Sequence, residues 1–342
     1  MVWKTALTHR LGLRYPILAA PLGRGSTPEF LAALAREGAM GFVALAQMRE
    51  AAVGPTLLEH IAATGGANRF GINLVLIVDQ MRRLDAALDA GCRIVSLLRG
   101  DPAPYVRRAK DAGATVFWTV HGPADARRAA ELGVDFIVAQ GREAGGHLTG
   151  EAPLMALLPA VVDASHDVPV VAAGGIADGR GLAAALALGA CGVWMGTRFI
   201  ACVESGSHRG HKQKVVDAGF ADLVETTLFD GGWPDSLHRV IRNSTYKRWV
   251  EAGSPVSGSR PGEDEQIGTF PEGAPMRRYN VSTPWEGMDG DWEAGPLYAG
   301  LSAALIGAVE PVSLILERTA TDAALALKAS LCRAAHSSAN WR

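Results

Sequence analysis

The chain predicts an α/β protein built as a (β/α)8 barrel, with a segment inserted like a lid after the eighth strand. Three observations carry that prediction. Short apolar runs recur at a steady interval, helical stretches separate them, and glycine closes most of the helices. The eight runs start near residues 17, 42, 71, 94, 115, 135, 170 and 192 of 342. Eight βα units in about 200 residues read as a closed barrel, because an open doubly wound sheet seldom needs so many regular units.

In order, the runs are Ile17-Leu18-Ala19-Ala20, Gly41-Phe42-Val43-Ala44-Leu45, Phe70-Gly71-Ile72-Asn73-Leu74-Val75 and Arg93-Ile94-Val95-Ser96-Leu97. They continue as Thr115-Val116-Phe117-Trp118-Thr119-Val120, Val134-Asp135-Phe136-Ile137-Val138-Ala139, Pro169-Val170-Val171-Ala172-Ala173 and Gly192-Val193-Trp194-Met195. Near-continuous apolar character is what a parallel strand covered on both faces requires. Helical patterns lie between them at 28–37, 81–90, 105–112, 123–132, 154–164 and 179–188. Gly38, Gly91, Gly113, Gly133 and Gly189 stand just past helix ends, where a left-handed residue is wanted. Residues 1–203 are thus expected to form the barrel core. Residues 204–295 would be a lid-like insertion, with a Pro/Gly/Ser-rich loop at 253–262. In 296–342, helices at 296–309 and 312–333 would complete the outer ring.

Composition narrows the function classes. A balance of 33 basic against 35 acidic residues, net −2, gives no electrostatic reason to bind nucleic acid or anionic membrane. The N-terminal residues Met1 to Arg10 lack the apolar core of a signal peptide. The longest apolar candidate for a span, 182–200, is broken by Gly189, Gly192, Gly196 and Arg198. Cys92, Cys191, Cys202 and Cys332 form no CxxC pair or disulfide-framework spacing. A soluble cytoplasmic protein is expected. Glycine is in excess, 40 of 342 or about 12% against a usual 7%, which calls for tight turns or backbone held close to a ligand.

In a barrel the chemistry sits just past the strand ends. The seventh and eighth runs end in Ala172-Ala173-Gly174-Gly175-Ile176 and Met195-Gly196-Thr197-Arg198, the usual phosphate site of this architecture. Tight turns are the bland alternative, but glycines at both loops together favour phosphate. The sixth run ends in Ala139-Gln140-Gly141-Arg142-Glu143-Ala144-Gly145-Gly146-His147. Gly145 and Gly146 let the chain pass close to a flat ligand and leave His147 at its edge, an imidazole suited to proton abstraction near neutral pH.

These loops, with 172–178, Gly196-Thr197-Arg198-Phe199 and Phe70-Gly71-Ile72-Asn73, resemble the nitronate monooxygenase (2-nitropropane dioxygenase-like) flavoproteins over residues 11–306. The resemblance implies FMN, with Gly174, Gly175, Gly196 and Thr197 on its phosphate. Ala20, Pro21 and Leu22 would offer backbone to the isoalloxazine, and Asn73 and Gln140 would bond its polar edge or ribityl chain. His147 matches the family's catalytic histidine, which removes the α-proton of a nitroalkane or steers a nitronate. Oxidation by O2 then yields a carbonyl compound and nitrite, while the flavin carries the redox step. Ser302, in the segment Tyr298-Ala299-Gly300-Leu301-Ser302, falls on the substrate side with His147. Leu22 stands where the family usually has Met, and Leu301 replaces a common Gln.

The same barrel, FMN and glycine-histidine loops occur in flavin-dependent enoyl-carrier-protein reductases and NAD(P)H:quinone reductases, so an NAD(P)H-dependent reductase of quinones or enoyl thioesters is the alternative. A non-catalytic flavin-binding barrel is the third reading. The expected partners are a small-molecule substrate and O2, with NAD(P)H in the alternative and a second copy of the chain in a homodimer. His121 follows the fifth run, but neighbouring Gly122-Pro123 equally mark a turn. His208 and His211 lack the companions of a metal site, so none is expected. Trp233, Trp249, Trp285 and Trp292 crowd the insertion, as an aromatic lid or as packing anchors.

Overall fold

A computed structural model describes residues 3–46, 48–231 and 233–338. The chain opens with a short helix, α1 (Ala6–Leu11), capped by the Thr5 hydroxyl, which accepts from the Thr8 amide. Six strands and five helices then alternate before a short extra strand intervenes. They are β1 (Ile17–Ala19), α2 (Pro28–Arg36), β2 (Met40–Ala44), α3 (Glu50–Thr64), β3 (Gly71–Val75), α4 (Met81–Asp89) and β4 (Ile94–Leu98). Then come α5 (Ala103–Asp111), β5 (Thr115–Val120), α6 (Pro123–Leu132), β6 (Phe136–Gln140), the two-residue β7 (Gly146–His147), α7 (Leu154–Ala164), β8 (Val170–Ala173), α8 (Gly179–Ala187) and β9 (Gly192–Met195).

All of these strands except β7 form one closed parallel barrel, in the order β1-β2-β3-β4-β5-β6-β8-β9. It closes where Leu18 of β1 pairs with Trp194 of β9. The eight expected strands are present, and the five helix-closing glycines all adopt positive φ, from 71° to 96°. Inward-facing residues Leu18, Phe42, Phe117, Phe136, Val171 and Trp194 fill the interior. Phe117 stacks on Phe136 with centroids 4.6 Å apart, and Phe42 lies 4.2 Å from Trp194. Leu7 of α1 joins this cluster and plugs one end. Gly71 has no side chain because a Cβ there would fall inside the Phe42 ring. The alternate residues, such as Ile17 and Ala19, face the helices. The barrel is therefore a packed core, not a pore.

Two expectations are corrected. The helix α3 has no counterpart among the sequence-read helices, because Gly54 and Pro55 interrupt its pattern. It persists by packing against α2. Residues 296–309 are not a helix: only a 3-10 turn, Leu301–Leu305, forms there. The preceding residues are drawn into backbone pairing instead, with the Ile241 amide donating to Leu297 O and Val240 bridging Tyr298. The eighth position of the outer ring is taken by a long final helix, residues 312–338, that packs on α8 and α2.

After β9 come the one-turn α9 (Thr197–Ile200), α10 (Arg209–Asp217), β10 (Leu223–Thr226), β11 (His238–Ile241), α11 (Ser244–Glu251), β12 (Gln266–Thr269), β13 (Pro275–Arg277) and the final helix α12 (Val312–Ser338). The strands β10, β11 and β7 make an antiparallel sheet at the C-terminal end of the barrel. Cys92, Cys191 and Cys202 are free, and burial pushes their thiols up to about 11, 12 and 12. They are packing residues. The Cys332 side chain lies outside the described residues. No helix among the described residues is long and apolar enough to cross a membrane.

Candidate active site

The loop from β6 to α7 turns back on itself before presenting its histidine. The Gly141 amide donates to Ala173 O, the Ala144 amide to Gly141 O at 3.1 Å, and Glu143 accepts from the Leu154 amide at 2.9 Å. Residues 299–300 then cross directly against Gly145, leaving no room for a Cβ there. Gly300 is equally tight against Glu143 O, and the Leu301 amide donates to that carbonyl. Gly146 takes φ +69° and delivers His147 into β7, opposite His238 of β11.

An ion cluster braces the loop from beneath. Arg239, 5% exposed, donates to Arg142 O and to Ala144 O, and it pairs with Glu225. Glu225 also pairs with Arg142. A buried arginine bonded to two carbonyls and a carboxylate is a rigid strut. None of these residues stood out in the sequence, because their roles arise from contacts almost a hundred positions apart.

The His147 ring sits among aromatic neighbours. Its centroid lies 4.1 Å from Trp233, 5.4 Å from Tyr298 and 5.6 Å from His238. Its Nε2 is buried and has no hydrogen-bond partner among the described residues. Burial first, then His238 and Arg99, hold its pKa well below the ordinary imidazole value, so the ring is neutral. His238 donates from Nδ1 to Ser236 O and accepts at Nε2 from the Phe229 amide, and burial pushes it down to about 4. Tyr298 donates to Val281 O.

On the other side of the loop, the Thr149 hydroxyl donates to Gln140 Oε1 at 3.0 Å. That spends its proton, so at 2.8 Å His121 Nδ1–H must be the donor to Thr149. His121 is thereby joined to the site through Thr149. Of the four tryptophans in the insertion, only Trp233 reaches His147. Trp249 bonds Pro255 O, Trp285 stacks on Phe270, and Trp292 stacks on His208.

The remaining sequence-read residues ring the same mouth. Ala20, Pro21 and Leu22 follow β1, and the Leu22 amide donates to Ser26 Oγ. Asn73 on β3 donates to Ser96 Oγ at 3.1 Å. Gly174 and Gly175 follow β8 with φ of 102° and 72°. Gly196 and Thr197 follow β9, where a Cβ on Gly196 would meet only Ala20, at 3.4 Å. The amides of Gly175, Gly196 and Thr197 donate to no backbone acceptor among the described residues. Thr197 Oγ1 accepts from the Gly300 amide, which brings Ser302, buried two residues later, to this wall. Free amides on glycine turns at two adjacent strand ends suit a phosphate, and the space beside Gly196 suits a group lying between β9 and β1.

Residues 55–259 match the family model for nitronate monooxygenase. The chain is 34% identical over 258 residues to the (3aS,4S,5R,7aS)-5-hydroxy-7a-methyl-1-oxo-octahydro-1H-indene-4-carboxyl-CoA dehydrogenase of Mycobacterium tuberculosis, covering 75% of this chain and 70% of that one. It is 30% identical over 276 residues to a probable nitronate monooxygenase of Staphylococcus saprophyticus, covering 68% and 78%. The structure of FabK from Thermotoga maritima superposes with a TM-score of 0.79 at 30% identity, over 96% of this chain and 99% of that one.

Proposed function

This chain belongs to the nitronate monooxygenase family and is an enzyme of the oxidoreductase type, and from that premise we propose that it oxidises alkyl nitronates and nitroalkanes with O2 to carbonyl compounds and nitrite, using FMN and His147 as general base. The observation that carries this reading is the His147 ring: neutral, walled by aromatics and with no partner at Nε2. In its Nδ1–H tautomer a neutral imidazole has its lone pair at Nε2 and accepts a proton there without first losing one.

When bound, FMN supplies the electron transfer between the nitronate and O2. Gly175, Gly196 and Thr197 hold its phosphate through their free backbone amides, with Gly174 turning the chain beside them. Ala20, Pro21 and Leu22 line its ring system, with Gly145 and Gly146 passing close to it. Asn73 reaches its polar edge, as does Gln140, whose Nε2 makes only a long contact of 3.5 Å to His147 O. Residues 1–203 carry this cofactor side, 204–295 cover it, and 296–342 back the histidine loop and close the ring. Ser302 stands with His147 on the substrate side.

His147 takes the α-proton of a neutral nitroalkane at Nε2, while Trp233 and Tyr298 keep water from the ring. Its lowered pKa has two consequences. The base stays deprotonated, and so usable, at pH values below those of an ordinary histidine. It also pulls less strongly, so an already anionic nitronate is the better substrate. His147→Asn keeps the ring's size without its basicity. It should lower kcat/KM for neutral nitroalkanes by about 10²–10⁴-fold and for pre-formed nitronates far less. Equal loss on both substrates removes the base role.

A second reading is favoured by the match to the carboxyl-CoA dehydrogenase, which covers more of this chain than the staphylococcal one. In it the enzyme reduces quinones or enoyl thioesters, with NAD(P)H delivering hydride. Anaerobic mixing separates the two. Under the proposed function nitronate bleaches the flavin. If nitronate leaves it oxidised and NADH bleaches it at once, the second reading stands.

A further inference from the structure

Arg99 follows β4 at the same mouth, and beyond its field at His147 it has no part in the mechanism proposed above. Its backbone is left-handed, φ +63°, a conformation that a side-chain-bearing residue holds at a cost. Gly100 beside it, at φ +53°, is locked against Leu76. The guanidinium is half-buried: Nη2 donates to Leu148 O at 2.9 Å, while Nε is buried without an acceptor.

Its most telling feature is what it lacks. Arg198, Arg239, Arg260 and Arg278, whose side chains are more deeply buried, each pair with a carboxylate: Glu310, Glu225, Asp230 and Glu265 respectively. Arg83 and Arg93, half-buried like Arg99, bond only carbonyls but leave no nitrogen buried without a partner. Arg99 pairs with none among the described residues. The carboxylates on the flanking loops are engaged elsewhere, Asp101 with Arg128 at 2.6 Å and Asp125 with the His121 amide. Burial pushes the Arg99 pKa down, with no carboxylate opposing it. Its neighbours His121, His147 and His238 are neutral imidazoles whose charging it opposes. A half-buried guanidinium with one nitrogen buried and unpartnered and no counter-ion is costly, and the cost persists where an anion from outside completes the pair. That anion is not the cofactor phosphate. In the closed strand order β4 lies three steps from β8 and four from β9, on the opposite wall from the phosphate glycines.

We propose that Arg99 is the substrate-anion residue of this mouth. Its guanidinium takes a planar anion with two equivalent oxygens, a nitronate or a carboxylate, and sets the substrate's α-carbon against His147. The nitronate source rests on the function proposed above; the carboxylate source does not. The planar fork of arginine matches such an anion in two bonds, which an ammonium cannot reproduce.

The test uses the holoenzyme and Arg99→Gly, since glycine adopts the left-handed backbone freely and retains the turn. Benzoate and its neutral amide, benzamide, are titrated by calorimetry, and KM is measured for ethyl nitronate. The variant should raise the benzoate Kd and the nitronate KM at least tenfold and leave benzamide unchanged. Its Tm should equal or exceed that of the wild type, because a strained and uncompensated residue has gone. Arg99→Lys should recover part of the anion affinity. The proposal fails if Arg99→Gly binds benzoate and nitronate normally. It fails as well if benzoate and benzamide weaken together, or if Tm falls by several degrees, which marks a structural role. A shifted flavin potential with unchanged anion binding would set the charge against the cofactor instead. If the wild type binds benzoate through Arg99 but does not oxidise nitronate, Arg99 stands with a carboxylate substrate and the nitronate reading falls. If only the nitronate KM depends on Arg99, the nitronate is the anion.

Discussion

Two aromatic clusters stack along the axis of this barrel, and they differ in kind more than in geometry. Inside, Phe42, Phe117, Phe136 and Trp194 sit with centroids 4.2 to 5.9 Å apart. At the mouth, His147, Trp233, His238 and Tyr298 sit with His147 at 4.1 to 5.6 Å from the others. The lower cluster is almost free of polar atoms, so close packing completes it and every ring adds stability. The upper one carries ring nitrogens and a hydroxyl that must be partnered. Both nitrogens of His238 and the hydroxyl of Tyr298 are partnered. Nε2 of His147 is not. The difference teaches where the molecule keeps its stability and where it leaves a group free to react.

The comparison breaks most visibly in the lower cluster. Phe117 is fully buried, stacked on Phe136 and set edge-on to Phe42. Phe117→Ala should cost about 3–5 kcal/mol, seen as a lower urea midpoint. The kcat/KM of the molecules that remain folded should not change. Gly71→Ala attacks the same cluster by overfilling it, because the new methyl collides with the buried Phe42 ring. About 1–3 kcal/mol should be lost, again at the urea midpoint and not in turnover. The smallest effect comes from the upper cluster. Trp233→Ala admits water to His147, and hydration favours the charged ring, so its pKa should rise toward the ordinary imidazole value. The acidic limb of kcat/KM for a neutral nitroalkane should then move to higher pH, with thermal stability nearly unchanged. A limb that stays in place would mean that Trp233 does not desolvate the base.

The lower cluster and the strands that carry it were legible because their signals are local. A covered parallel strand must be apolar along its length, and a helix ending before a strand wants glycine. Both can be read in five to ten residues. The segment at 296–309 carries a helix-compatible pattern, but its fate is set by β11 and the 143–147 loop, far away in the chain. The same holds for the Arg142–Glu225–Arg239 brace, which leaves no mark on sequence spacing. Arg99 is a different kind of miss. Reading the residue just past each apolar run, applied to the sixth, seventh and eighth, also lands on Arg99 after the fourth. Glycine likewise has a third use: besides ending helices and lying near a ligand, Gly71 makes room for a ring inside the barrel.

The crossing of Ala299 and Gly300 against Gly145 has a consequence in time. The barrel strands are all made by residue 195, but the chain that presses the histidine loop into place lies about 150 residues beyond His147. Residue 299 follows the last barrel strand by about a hundred residues, roughly five to twenty seconds at the usual pace of translation. A nascent molecule therefore has every barrel strand before it has its site. A message truncated ahead of residue 299 would give a chain with every barrel strand and the Arg239 brace, but without the crossing that presses on Gly145.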